Sequence, residues 1–163
     1  PKKCFVIGNL PYYASNRIIR NFMFQTSVKS MVFTVQKEVG EQIVANDGKK
    51  SYLSILIQSY CTVKKLLVIK NTEFYPIPKV DSMTVKITPK GNDLDSKYLE
   101  FVRKSFSNPR KKISNSISMG LKLEMDNTID LLKNSNIDVS KRAQHLSLDD
   151  WRNLYNLYCK KYD

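Results

Sequence analysis

Cys4-Phe5-Val6-Ile7-Gly8-Asn9-Leu10-Pro11-Tyr12 is the stretch from which the fold is read. Cys4 to Ile7 is a short apolar run without a polar face, the pattern of a strand covered on both sides in a parallel sheet, where ligands gather beyond the carboxyl ends. Gly8 is expected to let the backbone turn. Pro11 holds Leu10 extended and contributes no N–H, which leaves the Leu10 carbonyl to accept from something outside the chain. The Asn9 side-chain oxygen is a second acceptor beside it. Two acceptors converging on one point suit an exocyclic NH2 group, and the Tyr12 ring offers a face on which a flipped base can stack.

Outward from this stretch the pattern alternates. Ser15 is expected to cap a helix with Ile18, Ile19, Phe22 and Met23 on one stripe. Met31–Val35 reads as the next buried strand, and Gln36–Asn46 as a helix with Val39 and Ile43 inward. This is the strand–helix alternation of an α/β sheet. After the polar turn at Asn46–Lys50, Leu53, Leu56, Ile57 and Tyr60 recur at i, i+3, i+4 and i+7, which predicts a helix despite the β-branched content. Thr62–Ile69 and Met83–Ile87 read as strands, separated by the proline-bearing Phe74–Asp81, and Pro89–Asp95 reads as a boundary.

Beyond it the pattern is helical. Leu99, Val102 and Phe106 make one stripe, and Asn108-Pro109 predicts a cap with a first-turn proline ahead of Ile113 and Ile117. Leu131 and Leu132 mark another helix. Ser147-Leu148-Asp149-Asp150 is a capping-box variant before Trp151, Leu154, Tyr155 and Tyr158.

The 163 residues are 42% hydrophobic, enough for a core. Three well-separated cysteines and a single histidine indicate neither a disulfide framework nor a zinc site, which favours a reducing cytosol. No apolar run approaches the roughly 18 to 20 residues of a membrane span. The net charge of +12 implies a polyanionic partner, and basic residues alongside Tyr12, Tyr13, Phe74 and Tyr75 favour nucleic acid over lipid. Residues 1–92 carry 14 Lys+Arg against 5 Asp+Glu, and residues 93–163 carry 13 against 10. In the second half Arg103, Lys104, Arg110, Lys111 and Lys112 follow one another without an intervening acid. Such a run is either a solvated helix face or a phosphate-binding surface.

Asn9-Leu10-Pro11-Tyr12 resembles the catalytic motif of S-adenosylmethionine-dependent amino methyltransferases. Phe74-Tyr75-Pro76-Ile77-Pro78-Lys79-Val80-Asp81-Ser82, Phe106 to Ile117 and Arg142 to Leu148 narrow the resemblance to the small-subunit ribosomal RNA adenine N6-dimethyltransferases, the KsgA-like family. It extends over essentially the whole chain. The resemblance implies a Rossmann-like methyltransferase fold, here truncated N-terminally (residues 1–92), with two late antiparallel strands, followed by a small all-α RNA-binding subdomain (residues 93–163). It implies catalysis at Asn9, Leu10, Pro11 and Tyr12, Asn9 close to the cofactor S-adenosylmethionine, and Phe74 covering the base opposite Tyr12. Lys37, Lys79, Arg110, Lys111 and Lys112 are the expected RNA contacts, and the partner is small-subunit ribosomal RNA, met by a cytoplasmic monomer without metal or membrane.

Each assignment has a plainer counterpart. Phe74 also reads as a core aromatic ahead of a proline loop, Lys79 as a solvated loop residue and Asp81 as a turn cap. His145, with no cysteine or carboxylate at metal spacing, reads as a packed or surface residue. The chain departs from the family after Tyr12, where Tyr13-Ala14-Ser15-Asn16-Arg17 stands for the usual Asn-Ile-Ser-Thr-Pro and keeps only the serine. It also lacks a Gly-rich strand-to-helix turn and an acidic residue after a second strand. With a late strand opening at Pro1, these departures suggest part of a longer protein. The alternatives are a large-subunit ribosomal RNA methyltransferase and a non-catalytic ribosome-assembly or transcription factor on the same fold.

Overall fold

A computed structural model describes residues 3–91 and 93–162. The opening Pro1 and the expected limit at residue 92 lie outside the described residues. The chain divides into two compact units. Residues 1–45 and 56–94 form a sheet unit, and residues 46–55 and 95–163 form a helical unit.

The sheet unit alternates as its sequence does: β1 (Cys4–Asn9), α1 (Ser15–Met23), β2 (Val28–Gln36), α2 (Lys37–Ile43), the second half of α3 (Tyr52–Tyr60), β3 (Cys61–Ile69) and β4 (Ser82–Pro89). The four strands lie in the order β1-β2-β4-β3. β1 and β2 are parallel, and β4 runs antiparallel to both β2 and β3. The expected pair of late antiparallel strands is therefore present. Met31, Phe33, Val35, Met83, Val85 and Ile87 are fully buried, because alternation sends every second residue of β2 and β4 to one face. Helices α1 and α2 cover that face. Phe22 of α1 lies 6.4 Å from Phe33, ring centre to ring centre. Gly40 of α2 sits so close to Met83 that an added Cβ would come within 2.7 Å of its sulfur.

Two expectations about the opening stretch are corrected. Among the described residues β1 lies at an edge of the sheet, with Phe5 65% and Ile7 80% exposed in place of the cover expected on both sides. Phe5 and Ile7 pair with Ser30 and Val32, on the face away from α1 and α2. Gly8 makes no turn either. The parallel ladder continues through Asn9, opposite Thr34, and the Leu10 N–H donates to the Thr34 carbonyl at 3.0 Å. The chain reverses only at Pro11–Ala14, where the Ala14 N–H meets the Pro11 carbonyl at 3.0 Å. Ser15 is then the first helical residue and not the cap; its hydroxyl donates backward to the Tyr12 carbonyl at 3.2 Å. At the other edge, β3 carries a bulge between Lys65 and Leu67.

The helical unit comprises α4 (Ser96–Ser105), α5 (Ile113–Leu121), α6 (Met125–Asn134), α7 (Leu148–Tyr162) and the stretch 46–55. Its core is aromatic: Trp151 stacks on Phe106 at 5.1 Å and meets Phe101 edge-on at 6.5 Å. The capping box forms as read, with the Asp150 N–H on Ser147 Oγ at 3.0 Å and the Ser147 N–H on Asp150 Oδ2 at 2.9 Å. Asp95 caps α4 by accepting from the Tyr98 N–H at 2.8 Å, and it also takes Arg152 at 3.2 Å. Gln144 holds the 46–50 turn through a reciprocal pair with Gly48, each bond 3.1 Å long, at a backbone φ of +89° that favours glycine.

The helix expected from Asn108-Pro109 forms with Ile113 and Ile117 buried, but it does not start at Pro109. Residues 108–111 close an isolated turn, Lys111 N–H to Asn108 carbonyl at 3.0 Å, and α5 begins only at Ile113. Lys112 is extended, and the Ile113 N–H is claimed by the Lys141 carbonyl at 2.7 Å. A long-range bond thus overrides the local proline signal.

Candidate functional site

The register of the sheet unit gathers one set of candidates at one end of the sheet. Asn9 closes β1, Lys37 follows the last residue of β2, and Gln36 pairs with Ser82, which also pairs with Ile69 at the end of β3. Asn9–Tyr12, Lys37 and the 70–81 loop with Phe74 and Lys79 therefore all leave the sheet where β1, β2 and β3 end. This is the end at which α/β sheets bind ligands.

Asn9 is exposed, and its side-chain amide makes no hydrogen bond among the described residues. The Leu10 carbonyl likewise accepts none among them, although its N–H is tied to β2. Tyr12, half-buried, is fixed at both ends. Its hydroxyl lies 3.2 Å from Ser82 Oγ, and its carbonyl accepts from Ser15. Ser82 is a site residue that the sequence reading did not single out. It lies 70 positions from Tyr12, and no local pattern announces the contact. Below it the Thr34 and Thr84 hydroxyls meet at 2.9 Å, bonding β2 to β4 through side chains.

The 70–81 loop is organised by Asp81. Its carboxylate accepts from the Asn71 N–H at 3.1 Å and lies 3.4 Å from Lys70 Nζ and 3.9 Å from Lys37 Nζ, while its carbonyl accepts from the Lys37 N–H at 3.0 Å. The Asn71 N–H, reinforced by Lys70 and Lys37, holds this carboxyl below the usual carboxylate range. Lys37 is thus partly committed to Asp81. Lys79 is exposed and outside any ion pair among the described residues. Phe74, half-buried, follows the short turn Asn71–Glu73, its N–H on the Asn71 carbonyl at 3.2 Å.

The basic run of the second half divides. Arg103 and Lys104 lie on α4 and share Glu100, at 3.6 and 3.1 Å, so they belong to a solvated helix face. Arg110, Lys111 and Lys112 are exposed on the loop between α4 and α5. Asp138 is not far away: its carboxyl is held low first by the Ser140 N–H, with Lys141 and Lys112 adding to the effect. His145 is exposed and accepts from the Arg142 N–H at 3.1 Å. Among the described residues no cluster of His, Cys, Asp or Glu could hold a metal ion, and no helix is long and apolar enough to cross a membrane.

The "Ribosomal RNA small subunit methyltransferase A" of Borreliella burgdorferi is 35% identical over 155 residues, 93% of this chain and 54% of that protein. Its namesake in Alkaliphilus oremlandii is 36% identical over 165 residues, 96% of this chain and 58% of that protein. The chain thus spans about half the length of the curated relatives it matches. Among solved structures, a dimethyladenosine transferase from Plasmodium falciparum superposes with a TM-score of 0.82 at 25% identity, covering 99% of this chain and 68% of that one. The 23S rRNA methyltransferase ErmE gives 0.71 at 16% identity over 96% and 66%, a likeness of fold. The sheet is accordingly that of a Rossmann-like methyltransferase. The family model for ribosomal RNA adenine dimethylase matches residues 1–160, and the chain belongs to that family.

Proposed function

We propose that this chain is part of an enzyme that transfers methyl groups from S-adenosylmethionine to N6 of adjacent adenosines in small-subunit ribosomal RNA. One observation carries the reading: the unsatisfied acceptors of Asn9 and Leu10 stand beside a Tyr12 ring that is anchored at both ends. Adenine N6 is a poor nucleophile because its lone pair is delocalised into the ring. Accepting its two hydrogens on Asn9 Oδ1 and the Leu10 carbonyl favours a pyramidal nitrogen and aims the lone pair away from those acceptors. This is positioning and electrostatic work that needs no strong base. Tyr12 and Phe74 sandwich the base, and Pro11 keeps the Leu10 carbonyl presented.

Bound S-adenosylmethionine supplies an electrophilic sulfonium methyl. Asn9, exposed at the tip of a parallel strand, fits one edge of a site for that group. In this reading residues 1–92 are the C-terminal part of the methyltransferase domain and residues 93–163 an RNA-binding subdomain, with Lys37, Lys79, Arg110, Lys111 and Lys112 on phosphates. The protein works as a cytoplasmic monomer on the small-subunit RNA or its precursor particle.

The test is mass spectrometry of ribosomal RNA after treatment with the complete gene product and S-adenosylmethionine. Two adjacent dimethyladenosines in small-subunit RNA are expected. Methylation confined to large-subunit RNA would redirect the assignment to that group of enzymes, and RNA binding without methylation would make the protein a non-catalytic factor.

A further inference from the structure

We propose that Tyr13 and Tyr75 form a stacking shelf for the unpaired nucleotides on either side of the target adenosine, so that the substrate is taken as a splayed single strand. The inference deepens the reading of the site given above and rests on it. Tyr75 and Tyr13, 100% and 93% exposed, are the two most exposed large hydrophobic side chains among the described residues. A lone surface tyrosine needs no explanation. These two occupy matching positions: each directly follows a half-buried ring assigned to the target base, Tyr13 after Tyr12 and Tyr75 after Phe74, on loops leaving the same end of the sheet.

Both backbones are fixed while the outer rings are free. Tyr13 sits inside the turn closed between Ala14 and Pro11, and Tyr75 lies in the loop whose ends are joined by Asp81 and Asn71. Tyr12 is committed to Ser82, so the outer rings cannot be substitutes for it. The family pattern does not account for Tyr13, which stands where an asparagine is usual.

The occupant follows from complementarity. The chain carries +12, and Arg17, in the first turn of α1, and Lys79, on the 70–81 loop, are exposed outside any ion pair among the described residues. Yet Glu38, Glu41 and Glu73 share that end of the sheet, so charge alone gives a weak hold on phosphate there. What the end offers in excess is aromatic area. Bases supply a π-face whatever their identity, and unpaired RNA is held by stacking on such rings. A base-paired stem presents no free face.

The experiment measures equilibrium binding of the complete gene product to a short single-stranded RNA containing the target adenosine, and to the same strand made abasic at the two flanking positions. Tyr13→Ala and Tyr75→Ala should each weaken binding to the intact strand by about tenfold, with an unchanged salt slope. Wild type should lose about a hundredfold with the abasic strand, which lacks both stacking partners, and the double variant should bind the intact and abasic strands equally. Tyr13→Phe and Tyr75→Phe should bind normally, because the ring and not the hydroxyl is used. Wild-type affinity in the alanine variants, no abasic penalty, or equally tight binding of a fully paired stem would each overturn the shelf. Flank-sensitive binding by a protein that methylates no adenosine would uphold the shelf and remove the methyltransferase reading instead.

Discussion

Around Asn9 the sheet unit leaves acceptors without a partner among the described residues, whereas around Trp151 the helical unit buries a cluster of aromatic side chains. Phe101, Phe106, Tyr98, Tyr155 and Trp151 close on one another with ring centres 5.1 to 6.5 Å apart. The packing there is dense enough to bury Ser105 Oγ and Trp151 Nε1 without a hydrogen-bond partner among the described residues, each costing about 1–3 kcal/mol. The contrast separates two uses of a polar atom. In the helical unit an unpaired one is a cost tolerated for packing, and in the function proposed above an unpaired one at the sheet end is the means of recognition.

Substitution should expose this division, and the largest effect belongs to the packed region. Trp151→Ala should cost about 3–5 kcal/mol of stability, read as a lowered midpoint in denaturant. Asn9→Ala should leave that midpoint unchanged and slow single-turnover methylation by roughly 10² to 10³, the scale of losing one positioned hydrogen-bonding group. Normal turnover in Asn9→Ala would break the comparison, since the open acceptor would then be incidental.

Replacing Arg110, Lys111 and Lys112 together with Ala should flatten the salt dependence of RNA binding by about 0.7 to 0.9 per lost contact, for target and non-target RNA alike. An unchanged slope would make them ordinary solvated residues. Ser82→Ala should slow methylation by only about two- to tenfold, the worth of a single neutral hydrogen bond, while RNA affinity in a filter-binding assay stays put. The smallest effect concerns Asp81. Its carboxyl titrates lower in the folded chain than the ordinary value of 3.8, so its contribution is present above that value and lost as pH falls through the depressed one. Proteolysis of the 70–81 loop should therefore accelerate only in strong acid, and Asp81→Asn should remove the pH dependence.

Local signals were enough for much of the fold. Periodicity found α3 against its β-branched content, and the Ser147/Asp150 pair formed as its spacing implied. Local signals misled where a distant group intervened. Asn108-Pro109 is a sound helix start until Lys141 takes the Ile113 N–H, and Ser15 caps nothing because the turn ahead of it claims its hydroxyl. Cys4–Ile7 is apolar on both faces, but composition cannot say which face a helix covers. The candidate site was legible as a motif at Asn9–Tyr12. Ser82 was legible only as a member of another motif, because its bond to Tyr12 is a property of register between β2 and β4.

The two edges of the sheet also differ in how they meet other molecules. Along β3, Lys64 and Lys65 are exposed beside the bulge, next to the half-exposed Leu66 and Leu67, so an incoming strand would meet charge and a broken ladder. β1 has a register irregularity between Cys4 and Phe5 but pairs regularly from Phe5 to Asn9, with Phe5 and Ile7 exposed on that stretch. In a concentrated preparation of this chain, clumping should begin at β1, and solubility would be improved by changing Ile7 sooner than any residue of β3.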